Sequence, residues 1–442
     1  MVFKKGDKSD PLNYRGIALV NLITKIFTYM IKNRLEIWIE SNKILPGAQF
    51  GFRAGRGCTE AIFTLLTAVQ LQLRLPRREV FAIFVDFRRA FDSVPHENLW
   101  NKLNNLGISS KLIRVIKSLY DTANVQVKCN SQLSDKFDVT EGVLQGETLS
   151  ALLFILRPNA FDTAILVDSH INLHRALRAP ADYCDLNGLE VNISKIKIMP
   201  FKRIRRLKKL PDCFRKYEGS VLEIVSSYTY LGIPLSRNAF GNISARAALA
   251  KGKMATGVAL GGLAGLGINS WRTLVILYNV MISSTLLYAI PAWELLHSVE
   301  LEVAQLDFFK RALALPKCTP GWALRLETNL PHTELRIMKL CWDWLLKILK
   351  QSDSLLPKVC VIRLLDLDRS SHGKNPYNWI SRIRDLISMT IHEELRPDLN
   401  YEELASKTID IFNSYELILR ERDIESWLSL RPVRSPQLSL ML

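Results

Sequence analysis

The apolar run Val80 to Val85 ends in a carboxylate, Asp86, and an aromatic, Phe91, follows five residues later in VFAIFVDFRRAFDSV. A near-continuous apolar stretch of this length predicts a strand buried on both faces that delivers a side chain to its end. A carboxylate held there is a hard oxygen donor for a divalent cation. Phosphoryl transfer onto a hydroxyl commonly uses two such ions about 3.5 to 4 Å apart, and carboxylates must hold them against their mutual repulsion. One Asp on one strand does not suffice, so a second strand has to bring another. The alternative reading of Asp86 is a strand-end Asp that caps a turn.

The elements around this strand can be read from periodicity. Ile23, Phe27, Met30, Ile31, Leu35 and Trp38 recur near a helical period, which predicts an amphipathic helix over residues 22–40 with these side chains in the core. Thr59 opens a second helix, with Glu60 in its first turn, running to about Leu73. Residues 96–106 predict a short helix stopped by Gly107. LSALLFIL (149–156) predicts another helix, and TAIL (163–166) a strand. Beyond Gly232 the pattern is almost wholly helical, through residues 306–316 and 334–349. IRDLISMTIHEEL and ELASKTIDIFNSYELILRER continue it without a motif.

In order along the chain stand KKGDKSDPLNYRGI (4–17), QFGFRAGRGCTEAIF (49–63), VDFRRAFDSVPH (85–96), EGVLQGETLSALLF (141–154), GLEVNISKIKIM (188–199) and YLG (230–232). This succession resembles the reverse transcriptases of non-LTR (LINE-type) retrotransposons. The resemblance implies that Asp86 is a catalytic, metal-binding Asp and that Phe91 occupies the place of the aromatic that excludes a 2′-hydroxyl. It sets Gln145 and Gly146 beside template and incoming nucleotide, Lys195 near the triphosphate, and Tyr230, Leu231 and Gly232 in the primer grip. In the Lys motif, Ile196 stands where the family has Thr, and a solvated charge is the alternative for Lys195. Arg15 and Arg53 carry guanidinium forks that match phosphate oxygens; a structural ion pair is the alternative at each.

The departure from the family lies in NAFDTAIL (159–166). The family has Tyr or Phe, Ala and two consecutive Asp before an apolar strand. With TAIL as the anchor, Asp162 takes the second Asp position, as catalytic residue and metal ligand, and Phe161 stands where the first should be. A gapped alignment makes Phe161 the aromatic and also leaves one carboxylate. Asp168 cannot substitute, because on a strand rising about 3.3 Å per residue it lies roughly 20 Å beyond Asp162. Only Arg157, Pro158 and Asn159 separate the helix over 149–156 from Ala160. A hairpin strand needs about five or six residues, and Pro158 could not donate in a central ladder. The resemblance therefore implies an internal deletion near 157–161 that removes the first strand of the catalytic hairpin.

In 442 residues, 59 Lys and Arg against 43 Asp and Glu give a net charge of +16, which suits a polyanionic partner. The densest basic run, KRIRRLKKLPDCFRK (202–216), is a phosphate contact or a solvated loop. Seven Cys without a CxxC pair argue for reduced thiols inside the cell, in nucleus or cytoplasm. His170 and His174 have no Cys or acidic partner at ligand spacing, so no zinc site is expected. The uncharged runs 254–271 and 273–293, split by Arg272, are long enough for a membrane hairpin. Their glycines, Asn279 and Pro291 favour buried helices instead, and no membrane is expected.

The resemblance implies an α+β right-hand polymerase followed by an all-helical C-terminal region. Fingers and palm would occupy 1–235, helical thumb and post-thumb 236–350, and helices of unknown role 351–442. It further implies RNA-directed DNA polymerase activity with Mg2+ (or Mn2+), an RNA template, a DNA primer and dNTPs, impaired here by the lost ligand, and leaves the oligomeric state open. A nucleic-acid-binding remnant without catalysis is the alternative. The family's upstream endonuclease has no counterpart in this sequence, which reads as a fragment of an element.

Overall fold

The computed structural model describes residues 2–3, 6–10, 13–75, 78–88, 91, 95–129, 132–156, 163–187, 190–201, 215–237, 241–266, 270–293, 297–370, 379–391 and 400–429. The chain divides into two compact units, residues 1–61 with 72–231, and residues 62–71 with 232–442.

A four-stranded sheet organises the first unit. Its strands are β1 (Val80–Val85), β2 (Thr163–Val167), β3 (Lys197–Phe201) and β4 (Glu223–Ile224), in the order β4-β3-β1-β2. β1 runs antiparallel to both β2 and β3, and β3 parallel to β4. Every residue of β1 is buried, as its unbroken apolar sequence predicts. Phe81, Ile83 and Val85 pack with Leu173 and Leu177 of the helix His170–Asn187. Phe84 stacks on Tyr228, with ring centroids 4.0 Å apart. β2 is half-buried along its whole length.

A second cluster in this unit joins α1 (Leu22–Ser41), α2 (His96–Asn105), α3 (Ser110–Asp121) and α4 (Thr148–Ile155). Ile31, Leu35 and Ile39 of α1 meet Leu99 and Leu103 of α2, Ile116 of α3 and Leu152 to Ile155 of α4. Gly107, with φ +83°, stops α2 where expected. The apolar stripe assigned to α1 needs correction, because Ile23, Phe27 and Met30 are exposed while Ile31 and Leu35 are buried. The period was read correctly, but α1 carries more apolar surface than one buried face can absorb.

The second unit is helical. Its main helices are α5 (Asn242–Leu266), α6 (Ser298–Ala312), α7 (Gly321–Thr328), α8 (Thr333–Leu349), α9 (Trp379–Ile391) and α10 (Thr408–Leu428). Phe63 joins its core, with ring centroids 4.5 Å from Trp344 and 5.6 Å from Trp379. Trp342 of α8 donates to Thr408 of α10, and Tyr415 donates to Glu334. Helices on both sides of residue 350 thus share one body. The run Trp271–Trp293 is long and apolar enough to cross a membrane, with 44% of its most apolar window buried inside the protein. Tyr278 and Ile282 of this run pack on Phe308 and Phe309, the work of a core helix.

Candidate active site

β1 brings Asp86 to the end of the sheet. The β1–β2 ladder runs from Phe81↔Val167 to Val85↔Thr163, one residue short of Asp86 on one strand and of Asp162 on the other. Asp162 and Phe161 themselves lie outside the described residues, as does all of 157–162. Asp168 follows the opposite end of the ladder, where it accepts from Asn172 at 2.8 Å and pairs with Arg78. The hydrogen bond from Asn172 holds its carboxyl below the ordinary range. The register agrees with its exclusion as a substitute ligand.

The Lys motif folds back onto the same strand end. Glu190–Val191 pairs with Phe87–Arg88, which brings the short 3-10 turn Ile193–Lys195 alongside. Asn192 N–H donates to the Asp86 carbonyl at 2.9 Å. Lys195 Nζ donates to Asp86 Oδ2 at 2.6 Å, with the Lys side chain 59% exposed and the Asp side chain 22%. Lys195 is therefore neither a free solvated charge nor tied into the core.

Phe91 stacks on Phe154 of α4, centroids 4.3 Å apart, and meets Phe52 edge-on at 6.1 Å. Its carbonyl accepts from Val143 N–H at 2.8 Å, which anchors the approach to Gln145. The carbonyl of Gln145 accepts from Ala18 N–H at 2.6 Å. Gly146 has φ +105°, and a Cβ there would lie 3.0 Å from the Ala18 carbonyl. Glycine is thus required twice over, by conformation and by close approach. Buried Glu147 caps α4, accepting from the N–H groups of Leu149 and Ser150. Sequence reading missed Glu147, although an acceptor immediately before an apolar run is an N-cap signal.

Arg53 forms the ion pair that was its structural alternative. Its Nε and Nη2 form a fork on the Glu40 carboxylate at 2.8 and 2.6 Å, and Nη1 donates to the Pro46 carbonyl. Arg53 is buried and so engaged in this structure, and its hydrogen bonds hold Glu40 below the usual carboxylate range. Arg15 lies in a two-residue strand, Tyr14–Arg15, and its side chain is outside the described residues. Tyr230 is buried, its ring 5.5 Å from Phe84. Leu231 and Gly232 both have positive φ, at +47° and +85°, the signature of a type I′ turn. Most of the basic run 202–216 falls outside the described residues.

Among the described residues no group of three or more His, Cys, Asp or Glu is placed to hold a metal ion. Asp86 is the one carboxylate delivered here by the described strands, and Asp162 would raise the number to two. Ions in sites of this kind are held by one or two carboxylates together with substrate phosphates, so Asp86 with Asp162 is the donor set this chain offers.

Residues 3–235 match the family profile described as reverse transcriptase (RNA-dependent DNA polymerase). The chain is 29% identical over 265 residues to a "Probable RNA-directed DNA polymerase from transposon BS" of Drosophila melanogaster, covering 54% of this chain and 29% of the relative. It is 31% identical over 157 residues to a "Probable RNA-directed DNA polymerase from transposon X-element" of the same organism, covering 35% and 17%. With the "RNA-directed DNA polymerase from mobile element jockey", also of Drosophila melanogaster, it shares 26% identity over 267 residues, 54% of this chain and 28% of the relative. The chain spans less than a third of the length of these relatives.

Proposed function

We propose that this chain, which belongs to the reverse transcriptase (RNA-dependent DNA polymerase) family, is the polymerase portion of a non-LTR retrotransposon with impaired DNA synthesis. Its ancestral reaction adds dNTPs to a DNA primer on an RNA template, inside the cell. Residues 1–235 take the part of fingers and palm, 236–350 of thumb and post-thumb, and 351–442 of an appended helical region. Asp86 is the surviving first metal ligand. One more step of the β1–β2 register would set Asp162 opposite it, making these two the remaining catalytic pair. Gln145 and Gly146 face template and nucleotide, Phe91 the sugar, Lys195 the triphosphate, and Tyr230 to Gly232 the primer.

The observation that carries this reading is the β1–β2 ladder, which ends one residue before both aspartates. The family's Mg2+ or Mn2+ would be held by Asp86 and Asp162 and would supply charge stabilisation to the transferred phosphate; the impairment follows from Phe161 at the position of the family's first consecutive Asp. The test is dNTP incorporation on a primed RNA, with Asp86→Ala as the blank. The expected result is incorporation little above that blank. Extension far above it would overturn the impairment.

The Lys195–Asp86 pair favours a second reading, a nucleic-acid-binding protein without catalysis. At 2.6 Å it already satisfies one oxygen of the surviving ligand. Both readings require affinity for RNA that falls steeply with salt; residual incorporation above the Asp86→Ala blank supports the first, and incorporation equal to the blank the second.

A further inference from the structure

α1 begins on a formed cap, the Asn21 side chain accepting from Ile23 N–H at 2.9 Å, and its first three turns are apolar on the outside as well as the inside. Leu19, Leu22, Ile23, Ile26, Phe27 and Met30 are between 44% and 90% exposed. Applied to ordinary residue areas, those fractions amount to roughly 800 Å² of apolar-rich surface, at or above the largest patch of a typical monomer and equal to one partner's share of a standard interface. Lys25 is the single charge between Leu19 and Ile31, and the exposed Arg34 follows at the C-terminal edge of the face, so its first three turns present an apolar surface. In the next turn Lys32 pairs with Glu36 at 2.8 Å.

We propose that this face of α1 is a homodimer interface, covered by the same face of a second copy of the chain. A two-fold interface needs one self-complementary patch, and an uncharged helix face of this area is one. In an antiparallel pairing centred between Ile26 and Phe27, Ile26 meets the partner's Phe27 and Ile23 meets the partner's Met30. The contact is hydrophobic, so it persists when salt is raised, unlike association bridged by nucleic acid.

The test uses the full chain, freed of nucleic acid and held in about 0.5 M salt, where electrostatic range shrinks to a few Å. Sedimentation velocity over a concentration series reads the mass. The expected result is a monomer–dimer equilibrium whose dissociation constant rises at least tenfold in Ile23→Glu with Ile26→Glu, while the circular dichroism spectrum stays unchanged. A readout independent of that variant's folding is oxidative cross-linking. Ile26→Cys should give a disulfide-linked dimer, and Lys111→Cys, exposed on α3, should not. A chain monomeric throughout the series, a dimer that survives the double substitution, or equal cross-linking at both positions overturns the proposal. In the first case the face belongs to another partner.

Discussion

Asp423, in the helical unit, accepts from both ends of the Arg325 fork and from His332, with its side chain only 5% exposed. Arg325 in turn donates to Glu302, whose other oxygen receives the Thr333 N–H. Among the described residues, Asp86, at the end of β1, receives one side-chain bond, from a lysine that is mostly in solvent. A buried carboxylate that accepts three hydrogen bonds ties its helix to the groups around it and has little left to offer a ligand. A strand-end carboxylate with a single flexible partner contributes little to folding and keeps an oxygen for something else. The contrast separates ion pairs that hold the fold from the one that occupies the site.

The largest effect should come from breaking the saturated side of this comparison. Asp423→Ala leaves Arg325 buried with half its partners, and the expected loss is about 3 kcal/mol of stability in urea unfolding. Burial works against the charged form of Asp423, but the bonds from Arg325 and the positive charges of His332 and Arg325 outweigh it and lower the pKa. Since the folded pKa lies below the unfolded value of about 3.9, the stabilisation is present above that pH and is lost as pH falls through the folded pKa. Asp423→Asn should remove this acid-limb dependence, and an unchanged acid limb would show that other carboxylates set it.

Gly146→Ala should follow in size. Its φ of +105° and the 3.0 Å approach to the Ala18 carbonyl predict a cost of about 1–3 kcal/mol. Chemical denaturation measures it, and a change below about 0.5 kcal/mol would mean that the 17–18 segment moves aside.

The parts of this architecture set by local pattern were legible in the sequence. Six consecutive apolar residues ending in a carboxylate suited a strand buried on both faces, and Gly107 announced the end of α2. The parts set by long-range pairing were not. That Lys195 closes on Asp86 depends on the Glu190–Val191 pairing with Phe87–Arg88, which joins segments about a hundred residues apart in sequence and leaves no periodic trace. Arg53 shows the same limit, since a guanidinium beside glycines fits a phosphate or Glu40 equally until the loop is folded. On α1 the period gave the helix, but it could not say which of two apolar faces turned inward.

On the open side of the comparison, Asp86→Asn should change stability by less than about 1 kcal/mol, because the lost pair is largely exposed on the lysine side. RNA affinity should be retained and any residual dNTP incorporation abolished. A loss of stability as large as that of Asp423→Ala would show that Asp86 is structural.

The smallest expected effect is the most informative. Phe161→Asp restores the family's two consecutive acids in sequence, yet incorporation should rise little above the Asp86→Ala blank. Ligation of paired cations needs carboxylates held to within about 0.5 Å by a rigid supporting shell. α4 ends at Ile155 and β2 begins at Thr163, so seven residues separate them. A turn and a strand of about five or six residues do not fit in that length once Pro158 is barred from a central ladder. Inserting a full hairpin strand before the two acids should recover synthesis, whereas the single substitution should not. Strong incorporation by Phe161→Asp alone would show that the missing side chain, and not the missing strand, is what impairs this site.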